Sequence, residues 1–188
     1  MRCALTDNSS GVARTMRALI VFESMYGCTH DIAHAIARGV ALVGDATTVP
    51  VSHAIDEDTS VYDLVIVGGP THVHGMSRES TRRGAVEAAD QPDSDLTVEP
   101  DAAGAGIRDW LGKLTRREGA AAAFDTRVDK PAILTGRASK GISKNLQKLG
   151  FTLVADPESF LVDTHTQLVD GEEARAEQWG QMVAARIT

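Results

Sequence analysis

Residues 18–36 read ALIVFESMYGCTHDIAHAI. The first five form a short, wholly apolar run, the pattern of a strand covered on both faces. Ile32, Ile36 and Val40 then recur at helical spacing, with Ala33, Ala35 and Ala37 around them, so a helix begins within a few residues of the strand's end. The connection is Glu23, Ser24, Met25, Tyr26, Gly27, Cys28 and Thr29. A loop between a strand and a helix N-terminus presents unpaired backbone N–H groups and the positive end of the helix dipole, which together attract a phosphate. Ser24, Tyr26 and Thr29 add hydroxyl donors, and Gly27 permits a backbone conformation or close approach that a side chain would obstruct.

Outward from this stretch, Gly44 and Asp45 break the helix, residues 46–51 read as a second strand, and residues 64–67 (LVIV) repeat the apolar run before Gly68 and Gly69. Strand, helix, strand, connection, strand is the order of a parallel sheet with helices on both faces. Residues 91–106 read as a loop in which Asp93, Asp95, Glu99 and Asp101 accumulate without a basic residue. Ile107, Trp110, Leu111 and Leu114 restore a helical stripe, followed by a small-residue strand at 120–124. Ile142, Leu146 and Leu149 form the apolar face of a further helix, with Lys140, Lys144 and Lys148 on its solvated side. Residues 151–155 and 160–162 read as an interrupted last strand, and Trp179, Met182, Val183 and Ile187 mark a C-terminal amphipathic helix.

The chain has 188 residues, of which 43% are apolar and 24% charged, the proportions of one globular domain with a real core. We expect that domain over residues 16–188, with an acidic loop insertion around 90–106 and residues 1–15 as a mobile N-terminal extension. A formal net charge of -7 disfavours non-specific binding to nucleic acid or anionic membrane. Two cysteines, Cys3 and Cys28, make no disulfide framework and fit a reducing compartment. No stretch reads as a signal peptide or a bilayer span, so the expected location is the cytoplasm.

Absences narrow the ligand. The GxxxxGK[ST] loop of nucleoside triphosphatases and the GxGxxG of dinucleotide folds are both missing. A cysteine phosphatase would follow its nucleophile with an arginine, where Cys28 is followed by His30, Asp31 and His34. A phospho-acceptor receiver would place an aspartate after the third strand, where Gly68, Gly69 and Pro70 stand.

With both motifs on the page, ALIVFESMYGCT followed by YDLVIVGGPTHVHGMS resembles the flavodoxin family and its flavodoxin-like domain relatives. The resemblance implies a doubly wound α/β fold with an open parallel five-stranded sheet, order 2-1-3-4-5, binding flavin mononucleotide (FMN) beyond the carboxyl ends of the strands. It implies that Ser24, Met25, Tyr26, Gly27, Cys28 and Thr29 hold the FMN phosphate. Pro70, Thr71, His72, Val73, His74 and Gly75 would form the second flavin loop, beside the isoalloxazine ring. A third loop would follow Phe124, at Asp125, Thr126 and Arg127. The chain departs from the family where Trp or Tyr often covers the flavin: the second loop carries His72, His74 and Met76 instead.

The remaining residues sort by chemistry. His30 and His34 lie opposite the apolar helix face, and no carboxylate or thiolate completes a metal set with them or with His72 and His74. His72 or His74 would modulate flavin charge, since histidine titrates near neutrality. Cys28, at a helix N-terminus, is a candidate for a lowered pKa, against a reading as a small side chain whose backbone N–H does the binding. The expected function is electron transfer through FMN, to an unidentified redox partner or as a reductase of a small acceptor such as a quinone, the flavin supplying the chemistry and no side chain required as a catalytic acid. The alternative is a cofactor-free flavodoxin-like binding or regulatory module.

Overall fold

The computed structural model describes residues 14–188. Apart from Arg14 and Thr15, the expected N-terminal extension lies outside the described residues, as does Cys3; Arg14 pairs with Asp63 at 3.0 Å.

Five parallel strand positions form the sheet. Strand β1 (Arg17–Phe22) is followed by helix α1 (Cys28–Ala41), β2 (Asp45–Pro50) and β3 (Leu64–His72). A two-residue strand β4 (Gly75–Met76) folds back antiparallel on the end of β3. Helices α2 (Glu79–Ala89) and α3 (Ile107–Leu111) precede β5 (Gly119–Val128), and the short α4 (Ala132–Thr135) precedes α5 (Ala138–Lys148). The last position is split into β6 (Phe151–Leu153) and β7 (Glu158–Val162), both parallel to β5, and α6 (Glu172–Ala184) follows. The sheet order β2-β1-β3-β5-β6, with β7 extending the β6 position, is the expected 2-1-3-4-5 with an interrupted fifth strand.

The period-2 alternation of the strands divides the core. Ile20, Phe22, Ile66, Ala122, Phe124 and Phe160 point to one face, where Ile32 and Ile36 of α1 and Trp179 and Val183 of α6 cover them. Leu19, Val21, Val65, Val67, Ala121 and Ala123 point to the other, against Ile107, Trp110, Ile142 and Leu146 of α3 and α5. Helices α1 and α6 meet at two glycines: a side chain on Gly39 would collide with the Glu177 carbonyl, and one on Gly180 with that of Ile36. Close backbone approach, rather than conformational freedom, explains both.

Two sequence expectations are corrected at the strand ends. Gly68 and Gly69 do not end the third strand, which runs on through Pro70, Thr71 and His72; Gly68 lies opposite Phe124, whose ring occupies the space a side chain there would need. The fourth strand likewise continues past Phe124 to Val128, so Asp125, Thr126 and Arg127 are strand residues and not a loop. Their polarity hid them because their side chains meet helix N-termini, Asp125 that of α5 and Thr126 that of α1, in place of an apolar face.

Candidate functional site

Helix α1 starts with nothing capping it. Gly27 is its N-cap, at φ 98, and no side chain accepts from its first turn. The first intrahelical bond is from Asp31 N–H to the Gly27 carbonyl at 3.0 Å, so the N–H groups of Cys28, Thr29 and His30 precede the ladder. The positive φ is one that glycine adopts without strain and that turns the chain from strand into helix. Within the loop, Gly27 N–H donates to Ser24 Oγ at 3.2 Å, which leaves the Ser24 proton free to donate outward.

The cleft in front of these amides is a shallow, open one with a cavity volume of about 130 Å³. It brings together Ser24, Met25, Tyr26, Cys28 and Thr29 with Pro70, Thr71 and His72 of β3 and Thr126 and Arg127 of β5. Val128, Val162 and Thr166 complete the walls. Sequence reasoning missed these last three: Val128 lies at the unrecognised end of β5, and the pairing of β7 with β5 brings Val162, and Thr166 after it, to the cleft.

Several expected donors have other partners. The Tyr26 hydroxyl donates to the Ala85 carbonyl at 2.8 Å, so its proton is turned away from the loop. Thr29 and Thr126 share a hydroxyl hydrogen bond of 2.7 Å across α1 and β5, which leaves one proton of the pair free. Met25 is buried against Ala85 and Ala102, and its carbonyl accepts from Glu99 N–H at 2.8 Å. Asp125 stands apart from the cleft: it is buried on the α5 side of the sheet and accepts from Ser139 N–H at 2.7 Å, capping that helix. Thr71 Oγ1 does the same for Ala138 N–H at 2.9 Å.

The acidic insertion folds onto this loop. Glu99 Oε1 accepts from or pairs with His30 Nδ1 at 3.1 Å and lies 3.8 Å from where a Gly27 side chain would begin. The insertion is tied to β1 from behind by a buried polar cluster. Glu23 accepts from Ile107 N–H at 2.8 Å, and Arg82, only 3% exposed, donates to Ser77 Oγ at 3.1 Å and Asp109 at 2.7 Å. Burial pushes the Glu23 carboxyl above the usual carboxylate range.

Pro70, Thr71 and His72, expected in a loop, belong to β3; the turn proper is Val73 and His74, at φ 41 and φ 70 between the paired His72 and Gly75. Two positive φ values make this a type I′ hairpin, for which Asn-Gly is the favoured sequence. A β-branched residue at such an angle is strained by about 1–3 kcal/mol. Replacing Val73 and His74 together by Asn-Gly is expected to raise the unfolding free energy by about 1–2 kcal/mol in urea titrations. Unchanged or lower stability would show that neighbours of the turn, and not its backbone, set the cost. Burial and then the Arg82 guanidinium hold the His72 imidazole below the usual histidine range, so it sits neutral between the clefts on either side of it.

Of the two readings of Cys28, a thiol of lowered pKa and a small side chain, its surroundings speak against the first. Its Sγ donates to the Thr166 carbonyl at 3.0 Å, and burial, with the Asp31 and Asp163 carboxylates, pushes the thiol pKa up. In a Cys3→Ser background, iodoacetamide at about pH 7.5 should therefore alkylate the protein at least ~10-fold more slowly than it alkylates glutathione, followed by mass spectrometry. Labelling as fast as glutathione would contradict the half-buried, hydrogen-bonded geometry. Among the described residues no group of three or more His, Cys, Asp or Glu is placed to hold a metal, and no helix is long and apolar enough to cross a membrane.

Comparison with known proteins places the architecture. No protein-family model and no curated protein sequence matches the chain. Solved structures do: a flavodoxin from the domain Archaea superposes with a TM-score of 0.59 at 18% identity, over 92% of this chain and 99% of its own. The fold is flavodoxin-like. Flavodoxin 2 from Bacillus cereus gives 0.60 at 17% identity, over 90% and 97% of the two chains. The Flv1 flavodiiron core from Synechocystis gives 0.60 at 17% identity, over 93% of this chain and 36% of that longer one. In this flavodoxin-like frame the cleft lies at the carboxyl ends of β1, β3 and β5, where the strand order reverses, the usual ligand position of open α/β sheets.

Proposed function

We propose that this chain binds FMN in the cleft between the Ser24 to Thr29 loop and β3, and that it works in electron transfer or as a flavin-dependent reductase of a small acceptor. The uncapped start of α1 carries the reading: three N–H groups and a helix dipole stand at a cleft where, among the described residues, no side chain accepts from them. The donor set fits a phosphate monoester, with the amides of Cys28, Thr29 and His30 and the Ser24 hydroxyl as its ligands. Pro70, Val128 and Val162 fit a planar apolar ring beside it. Bound FMN would supply the redox chemistry at its ring, and the protein positions and tunes it. The flavodoxin-like fold of the similar structures supports this assignment of the cleft.

Two observations favour a second reading, a cofactor-free flavodoxin-like module. Trp110, Trp179 and Tyr62 are buried in the cores, so Tyr26 alone among Trp and Tyr residues borders the cleft. Glu99 also places a carboxylate near the loop, although His30 offsets it. Titration of flavin fluorescence separates the two. Under the leading reading FMN is quenched saturably, and riboflavin, which lacks the phosphate, binds about 100-fold more weakly. Absence of quenching at high micromolar FMN would overturn it in favour of the module.

A further inference from the structure

A second cleft adjoins the first and shares His72 with it. Its cavity volume is about 320 Å³, at the lower end of the range of small-molecule sites, roughly 300–1,000 Å³. The chain as a whole is acidic, at a net -7, yet the lining of this cleft holds His72, His74, Arg78 and Arg108 and no carboxylate.

The positive charge there is left uncompensated by its surroundings. The nearest carboxylates on the same helices are engaged by other arginines: Glu79 pairs with Arg83 at 2.9 Å, and Asp109 with the buried Arg82 at 2.7 Å. Neither Arg78 nor Arg108 has a carboxylate partner among the described residues. Arg108 is nonetheless held in place, its Nε and Nη2 donating to the carbonyls of Ser77 at 3.2 Å and Met76 at 3.0 Å. A guanidinium oriented by backbone carbonyls keeps its remaining N–H groups for a ligand with little further loss of rotamer freedom. Beside the cations, Val73 is 83% exposed and offers an apolar contact at the mouth.

We propose that this cleft binds a small organic anion, its carboxylate, phosphate or sulfonate held by Arg78 and Arg108 and its carbon frame resting on Val73. His72 then stands between that molecule and the first cleft. Anion binding stands on the geometry of this cleft alone; the further step, that the anion is a redox reactant of the flavin, rests on the FMN reading above.

The test is calorimetric titration of the full chain, with and without FMN, using 1,4-naphthoquinone-2-sulfonate and its uncharged counterpart 2-methyl-1,4-naphthoquinone. The sulfonate is expected to bind about tenfold or more tightly than the uncharged quinone, and to weaken with added salt. Arg78→Gln and Arg108→Gln should each weaken it about tenfold and leave the uncharged quinone unaffected, while Arg108→Lys, which keeps the charge, should retain most of the binding. Equal affinity for the two quinones, or no effect of either Gln variant, overturns the proposal. FMN titrations of the same preparations separate the two claims. Selective sulfonate binding by a protein that does not take FMN sustains the anion cleft and removes its link to flavin. FMN binding without selectivity between the quinones removes the anion cleft and leaves the flavin reading intact.

Discussion

Gly68→Ala is expected to lower the unfolding free energy by about 3 kcal/mol, the upper part of the range for overpacked cores. The added methyl would overlap the Phe124 ring, which lies across Gly68 from the neighbouring strand and is itself fully buried against Phe160 and Trp179. That ring has nowhere to go: its edge contacts to Phe160 and Trp179 have centroid separations of 6.2 and 6.4 Å. Urea denaturation measures the loss, and a double-mutant cycle identifies its cause. Phe124→Leu in the Gly68→Ala background should cost less than the same change in the parent chain, because it removes the collision. Additive losses would show that Gly68 is needed for some other reason.

Gly27→Val is expected to weaken FMN binding about 100-fold and riboflavin binding little. At φ 98 a β-branched side chain costs about 1–3 kcal/mol, and the loop relieves it by rotating the peptides that aim the first amides of α1. Steric crowding is not the cause, since among the described residues the one atom beyond its chain neighbours within 4 Å of the added Cβ would be Glu99 Oε1 at 3.8 Å. The loss should therefore fall on the phosphate contacts, read as the collapse of the FMN-to-riboflavin preference. An unchanged preference would place the phosphate elsewhere than this loop.

The strands and helices that build the sheet's middle were readable because burial on both faces leaves an unmistakable apolar record, as in ALIVF and LVIV. Helices α1, α3, α5 and α6 were readable from their stripes for the same reason. Helix α2 was not: among its residues only Arg82 and Ala85 are buried, so ESTRRGAVEAA carries no apolar stripe to read. The strand ends failed differently. Pro70 to His72 and Thr126 to Val128 continue their strands to the border of the clefts, where polar side chains are tolerated and the strand pattern dissolves, while Asp125 is buried as the partner of the Ser139 N–H. The loop between β1 and α1 was legible from chain order alone. Its hydroxyl partners were not, because the Tyr26–Ala85 and Thr29–Thr126 bonds join positions far apart in the chain. The same holds for Val162 and Thr166, and for the buried Glu23 and Arg82 that anchor the insertion.

The glycine seam between α1 and α6 bears on how the molecule comes into being. On the ribosome α1 is made early, while α6 is the last element in chain order, and each glycine fits only against the other helix's backbone. Until α6 is made, Phe124 and Phe160 lack the Trp179 ring that packs against them, a sticky surface of the kind that chaperones attend to. The loop at the head of α1 is fastened by other late partners, the Ala85 carbonyl, the Thr126 hydroxyl and the Thr166 carbonyl, all of which follow it in the chain.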